Sequence, residues 1–169
     1  MTRLLQFPDP VNEVSARLVA GGVVCLSVLT LVTGWPWLLA LLAYGFVARV
    51  LSGPTLSPLG QFVTRVLTPR LPFAAKAVPG PPKRFAQGIG ATLSVAACVA
   101  GFGFRHSGVA GVLVGLIVVA ATLESVFAFC LGCKLFAILM RVGVIPESVC
   151  ERCADIWAAG RTPVIHGQS

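Results

Sequence analysis

The stretch LVAGGVVCLSVLTLVTGWPWLLALLAYGFVA, Leu18 to Ala48, carries no charged side chain and is interrupted near its middle by Gly34-Trp35-Pro36-Trp37. We read it as a helical hairpin in a lipid bilayer. Its first helix runs from about Asn12 to Thr33, with Arg17 reaching toward the interface, and its second runs from Trp35 to about Leu51. Trp35 and Trp37 then lie at headgroup depth, where an amphipathic ring is best solvated.

Working outward, Phe85 to Phe104 is a second uncharged stretch, long enough for a hydrocarbon core roughly 30 Å thick. It ends at Arg105-His106-Ser107-Gly108. Val109 to Cys133 follows as a fourth apolar stretch whose only charge is Glu124. Short turns make each pair antiparallel neighbours. The connection over residues 52–84 differs in kind: it is basic and carries prolines at 54, 58, 69, 72, 79, 81 and 82. Ser57-Pro58 within it is a helix start, and Phe62, Val63, Val66 and Leu67 form an apolar stripe that predicts a short helix lying in the interface. Leu135 to Ile145, too short to cross, is expected to lie on the membrane in the same way. The fold class expected is therefore an all-α membrane protein: four transmembrane helices as two hairpins (12–33, 35–51, 85–104 and 109–133), with interfacial helices after spans two and four and a tail over 146–169.

Composition supports this. The chain is 56% hydrophobic and 11% charged, with a mean hydropathy of +0.89. Soluble domains are roughly 25% charged, so the apolar surface left over here must face lipid. The net charge of +7 could suggest nucleic acid, but the basic residues flank the apolar runs, as topology and anionic lipid require. Of the 13 Lys and Arg residues, Arg49, Arg65, Arg70, Lys76, Lys83 and Arg84 lie in or beside the central loop. Arg3, Arg17, Lys134, Arg141, Arg152 and Arg161 lie toward the ends, and only Arg105 lies at a hairpin tip. Both termini are accordingly expected on the cytoplasmic side. A cleaved signal sequence is not expected, because no small-residue cleavage pattern follows the first apolar run. The halves share a plan: a Pro-rich basic entry, a hairpin, then a segment with Arg shortly before Pro (Arg65 to Pro69, Arg141 to Pro146). A duplication in parallel orientation would produce it.

Chemistry is concentrated in the cysteines. Cys25 and Cys98 lie alone in apolar helices and read as core. Cys130-Leu-Gly-Cys133 and Cys150-Glu-Arg-Cys153 are two CxxC pairs with the spacing of a four-thiolate zinc site. They suit a dithiol or sulfur relay equally well, since Lys134 follows Cys133 and Pro146-Glu147 looks like the first turn of a helix carrying Cys150. Glu124, the one acidic residue inside a span, is a functional candidate by position, as the ligand of a small transporter for instance. On a continuous helix it would point away from both Cys130 and Cys133, so it need not serve the thiols; a structural role, as a protonated Glu hydrogen-bonded to a neighbouring helix or paired with a cation such as Arg49 or Arg84, is expected as readily as a functional one. Gly111/Gly115 and Ala97/Gly101 are small-residue pairs that predict close helix packing. His106 and His166 are too far apart in topology to form one site.

Phe7-Pro-Asp-Pro-Val-Asn-Glu13, Gly53-Pro-Thr-Leu-Ser-Pro58, Pro79-Gly-Pro-Pro-Lys-Arg-Phe-Ala-Gln-Gly88, Glu124 with Cys130-Leu-Gly-Cys133-Lys134, and Ile145-Pro146 with Cys150 and Cys153 together resemble the bacterial membrane family named domain of unknown function 4395, over nearly the whole chain. The resemblance implies a small multi-spanning protein of a bacterial plasma membrane, with no established activity. It also implies an association with thioredoxin-like and sulfurtransferase proteins as soluble partners, which favours thiol chemistry. Oligomerisation is compatible with either reading, and no nucleic-acid partner is expected.

Overall fold

The computed structural model describes residues 11–70, 77–104 and 107–146. Its elements in chain order are β1 (Val11–Asn12), α1 (Glu13–Thr33), α2 (Pro36–Ser52), α3 (Pro58–Phe62), β2 (Ala77–Val78), α4 (Gly80–Cys98), α5 (Ser107–Phe127) and α6 (Leu131–Arg141). After α3 the chain continues as a π turn over Val63–Leu67 and a 3-10 turn over Thr68–Arg70, and α4 continues as a π turn over Val99–Gly103. Three helices, Glu13–Thr33, Gly80–Gly103 and Ser107–Phe127, are long and apolar enough to cross a membrane, and α2 is a shorter apolar helix. Their outward faces carry Val28, Leu29, Val32, Val112, Leu116 and Val119, all exposed. That much bare aliphatic surface is stable only in a nonaqueous solvent.

Local chemistry sets the boundaries. Asn12 caps α1 by accepting the Val14 amide at 3.0 Å, and α1 ends at Gly34, whose N–H donates to Thr30. α2 starts with Pro36 in its first turn, where the missing donor costs nothing. Trp35 and Trp37 stand exposed with ring centroids 5.7 Å apart at the hairpin tip. Ser57 caps α3 as expected, its oxygen accepting the Gly60 amide.

Two expected boundaries are corrected. α4 begins at Gly80 rather than Phe85, because Pro81 and Pro82 are tolerated in a first turn. Lys83 and Arg84, read as loop cations, are therefore helical. The helix expected to run unbroken from Val109 to Cys133 ends at Phe127. There Ala128 turns to φ 54°, a left-handed conformation uncommon outside glycine, and α6 starts afresh at Leu131.

The helices pair across the halves. α1 packs most extensively on α5 and α2 on α4, with α4 and α5 also in contact. Both main pairs are antiparallel. Arg17 meets Ser125 while Leu31 comes near Gly111, and Arg84 meets Val50 while the Cys98 thiol reaches the Leu39 carbonyl. The shared core includes Val23, Leu39, Leu42, Phe46, Ala97, Val114 and Ile117.

The halves also repeat each other in detail. Val11 of β1 pairs antiparallel with Val78 of β2, just ahead of α1 and α4 respectively. Arg17, in the second turn of α1, donates to the Ser125 and Val126 carbonyls at the end of α5. Arg84, the matching residue of α4, donates to the Val50 carbonyl at the end of α2. These carbonyls have no partner within their own helices, so each half caps the other. Gly53 and Ala128 take positive φ just after α2 and α5, and a short helix capped by Ser57 or Cys130 follows. This is the contact pattern a parallel duplication produces.

Two expectations about packing need correction. Cys25 is exposed on the outer face of α1 rather than in the core, while Cys98 is half-buried. Ala97 is fully buried, and a side chain at Gly101 would meet Leu39 and Ala110. Nothing lies within 4 Å of a side chain at Gly115, and one at Gly111 would just reach Leu31. Of the two small-residue pairs, Ala97/Gly101 is the one packed against neighbouring helices.

Candidate functional site

The break after α5 builds the site. Cys130 has extended backbone and is the N-cap of α6, its sulfur accepting the Cys133 amide at 3.4 Å. Caps of this geometry are ordinarily oxygens. A sulfur there sits against the positive end of a helix dipole, an environment that favours thiolate. α6 is held on α4 by Gly132, where a side chain would meet Ala86 Cα and Cβ at 2.5 Å. Phe136 is buried against Phe85, with ring centroids 5.5 Å apart. The outer face of α6 shows Leu131, Leu135 and Ile138, an amphipathic pattern of the kind expected for this segment.

The two thiols are unlike. Cys130 is held below the ordinary cysteine range, first by the hydrogen bond from the Cys133 thiol and further by Lys83 and the Cys133 amide, against burial and Glu124. Cys133 is pushed far above that range, because the Cys130 sulfur retains its proton and burial disfavours its charge.

Glu124 takes part in this site, which corrects the expectation drawn from a continuous helix. Because the helix breaks at Ala128, the angular offset between Glu124 and the cysteines no longer applies, and the carboxylate acts electrostatically on both thiols. Its partner is also corrected. Lys83, in the first turn of α4, pairs with Glu124 at 2.5 Å, and both side chains are largely buried. Arg49 interacts with Glu124 electrostatically, as expected, but without a salt bridge; its Nε donates to Gln87 Oε1 at 3.0 Å and its guanidinium stacks over Phe46. Arg84 is taken up by the Val50 carbonyl.

Lys83 and Gln87 are the site residues that sequence reasoning missed, while Arg49, expected beside Glu124, has its hydrogen bond with Gln87. The available signal was Pro81-Pro82, which starts a helix at Gly80 and so draws Lys83 into the bundle. Cys150 and Cys153 lie outside the described residues, as do His106 and His166. Among the described residues no group of three or more His, Cys, Asp or Glu side chains converges as a metal site. A four-thiolate zinc site would need the second CxxC pair.

Two cavities flank the Lys83–Glu124 pair. The larger, about 360 Å³, is lined by Glu124, Cys130 and Gln87 among apolar residues of α1, α4 and α5, and extends to the outward-facing Leu116 and Leu135. The other, about 220 Å³, is lined by Arg49 and Lys83 together with β1, α1, α3 and α4. Gln87 and Val19 line both. Each cavity touches the short helix of one half: Gly60 of the Ser57-capped α3 lines one, and Leu131, Gly132 and Leu135 of the Cys130-capped α6 line the other.

The family described as "Domain of unknown function (DUF4395)" matches residues 11–141. The chain belongs to this family. The match covers both halves, the Lys83–Glu124 pair and the Cys130/Cys133 dithiol. No curated protein and no solved structure matches the chain. Membership of DUF4395 agrees with the resemblance carried by the Pro-rich entry motifs and by Cys130-Leu-Gly-Cys133, and it assigns no activity.

Proposed function

We propose that this DUF4395 protein is a membrane-embedded thiol-disulfide or sulfur exchanger whose working dithiol is Cys130/Cys133. The observation that carries the proposal is the N-cap sulfur of Cys130, hydrogen-bonded by Cys133 and set beside a buried Lys83–Glu124 pair. The nucleophile in such exchange is a thiolate. In the step envisaged, the Cys130 thiolate attacks one sulfur of a partner disulfide. A mixed disulfide forms and the partner's other sulfur leaves as thiolate. Cys133 then loses its proton and attacks the Cys130 sulfur, releasing the second partner thiolate. The partner is reduced by two electrons and Cys130/Cys133 becomes a disulfide. Cys150 and Cys153, on the tail, would exchange with a soluble thioredoxin-like or sulfurtransferase protein.

In this reading the chain crosses four times. α2 runs antiparallel alongside α4 from Val50 to Leu39, and its 17 residues span about 25 Å at ~1.5 Å per residue, near the lower limit for a crossing. The hairpin tips then lie on the side opposite the basic loop, with both termini cytoplasmic. The test is equilibration of detergent-purified protein with defined ratios of oxidised and reduced dithiothreitol. An intramolecular Cys130–Cys133 disulfide, lost in Cys130→Ser and in Cys133→Ser, supports the reading. About one zinc per chain that blocks alkylation of all four CxxC cysteines would replace it with the metal alternative.

A further inference from the structure

The cavity of the first half has a composition the thiol chemistry does not use. It is lined by Arg49, Lys83, Gln87, Ser15, Thr64 and Asn12, and no carboxylate lines it. Arg49 is 5% exposed and Lys83 9%. A buried cation is ordinarily paired. Lys83 is paired, with Glu124. Arg49 spends its Nε on Gln87 and rests its guanidinium over Phe46, while among the described residues neither Nη has a hydrogen-bond acceptor. Two cations and one carboxylate therefore leave a single buried positive charge facing a cavity of about 220 Å³.

The hydroxyls that line the cavity have committed their hydrogens within the chain. Thr64 commits its hydroxyl hydrogen to the Gly60 carbonyl. Thr68 donates to the Val63 carbonyl, so the Ser15 hydroxyl must donate to Thr68. Gln87 Oε1 is taken by Arg49, which leaves its amide hydrogens. Hydrogens remain on Arg49 Nη, Lys83 Nζ, Gln87 Nε2 and Asn12 Nδ2, all from residues that line the cavity, and the N-terminal end of α1 adds a partial positive charge.

We infer that this cavity is an anion site that takes a phosphate-type oxyanion on Arg49, Gln87 and Lys83. Either inorganic phosphate or the headgroup of an anionic phospholipid can supply that chemistry. Guanidinium matches such oxyanions by paired charge-assisted hydrogen bonds. The inference does not depend on the thiol proposal, because no cysteine lines this cavity.

The test uses full-length protein in nanodiscs and reads thermal unfolding. In discs of phosphatidylcholine alone, phosphate and sulfate are titrated against chloride at matched ionic strength. In parallel, phosphatidylglycerol replaces part of the phosphatidylcholine, and lipid retained after delipidation is identified by native mass spectrometry. A saturable upward shift with phosphate or sulfate identifies the free anion; selective retention of phosphatidylglycerol identifies the headgroup. Arg49→Gln is expected to weaken either effect by about tenfold or more, the loss of charge-assisted hydrogen bonds. Gln87→Glu keeps an acceptor for Arg49 Nε while placing a fixed carboxylate at the cavity, so it should fold and lose the effect even where Arg49→Gln does not fold. No saturable effect with either source in the wild type, or an effect unchanged in Gln87→Glu, overturns the inference.

Discussion

Replacing Lys83 with Met removes the cation from a pair whose side chains are 11% and 14% exposed, so solvent can do little to replace it. Breaking a buried ion pair by deleting one partner costs about 3–5 kcal/mol. We expect the lower end of that range, about 3 kcal/mol. The companion change Glu124→Leu in the same chain removes the orphan, and the double variant should return to within about 1 kcal/mol of wild type, since apolar replacement of a buried pair is often neutral. Unfolding in detergent, followed by circular dichroism against denaturant for the wild type, both single variants and the double variant, closes the cycle. The same change should act on the thiol. Lys83 lowers and Glu124 raises the Cys130 thiol, so Lys83→Met shifts the pH profile of Cys130 alkylation upward and Glu124→Gln shifts it downward. Single variants that match the double in stability, with unmoved alkylation profiles, would refute the pairing and its link to the dithiol.

Three further outcomes follow from the geometry. Gly132→Ala forces a methyl group into Ala86 and should cost about 1–3 kcal/mol as overpacking, with faster hydrogen exchange across α6 as the local reading. Arg17→Ala removes three hydrogen bonds to the end of α5 and should cost on the order of 1–2 kcal/mol. Arg84→Ala removes one from an exposed position and should cost less, and denaturant midpoints measured side by side check the order. Single cysteines at Trp35 and Ser107, in a chain otherwise free of cysteine, should be labelled by an impermeant reagent on the membrane side opposite a cysteine at Thr55. Labelling of Trp35 and Thr55 from one side would rule out α2 as a crossing.

The hairpin tip at Gly34–Trp37, the start of α1 and the Ser57 cap were legible in the sequence because each rests on short-range chemistry: an uncharged run, a capping side chain, a proline in a first turn. Membership of DUF4395 was legible from motifs spread along the chain, and the parallel repeat from its Pro-rich entries. The site was legible only in part. Cys130 and Cys133 were recognisable by spacing, but their role as helix cap depends on a left-handed Ala128, and alanine does not advertise that conformation. Lys83 read as a loop cation because charge next to prolines resembles a connection, and only its contact with α5 shows that it belongs to the core. The Glu124–Lys83 and Arg49–Gln87 pairs join residues 41 and 38 positions apart, and no local pattern encodes such a meeting.

The Cys130 and Cys133 thiols, three residues apart, are displaced from the ordinary cysteine range in opposite directions. Alkylation of the reduced, detergent-purified protein by iodoacetamide, with the rate at each cysteine resolved by mass spectrometry from pH 5 to pH 10, measures this displacement directly. Because Cys130 is held below the ordinary range and Cys133 above it, Cys130 should reach its plateau rate at a lower pH than a cysteine in an unstructured peptide, while Cys133 remains slow to the top of the range. Superimposable profiles for Cys130 and Cys133, or a Cys130 profile lying above that of the peptide, would contradict the assignment of Cys130 as the nucleophile.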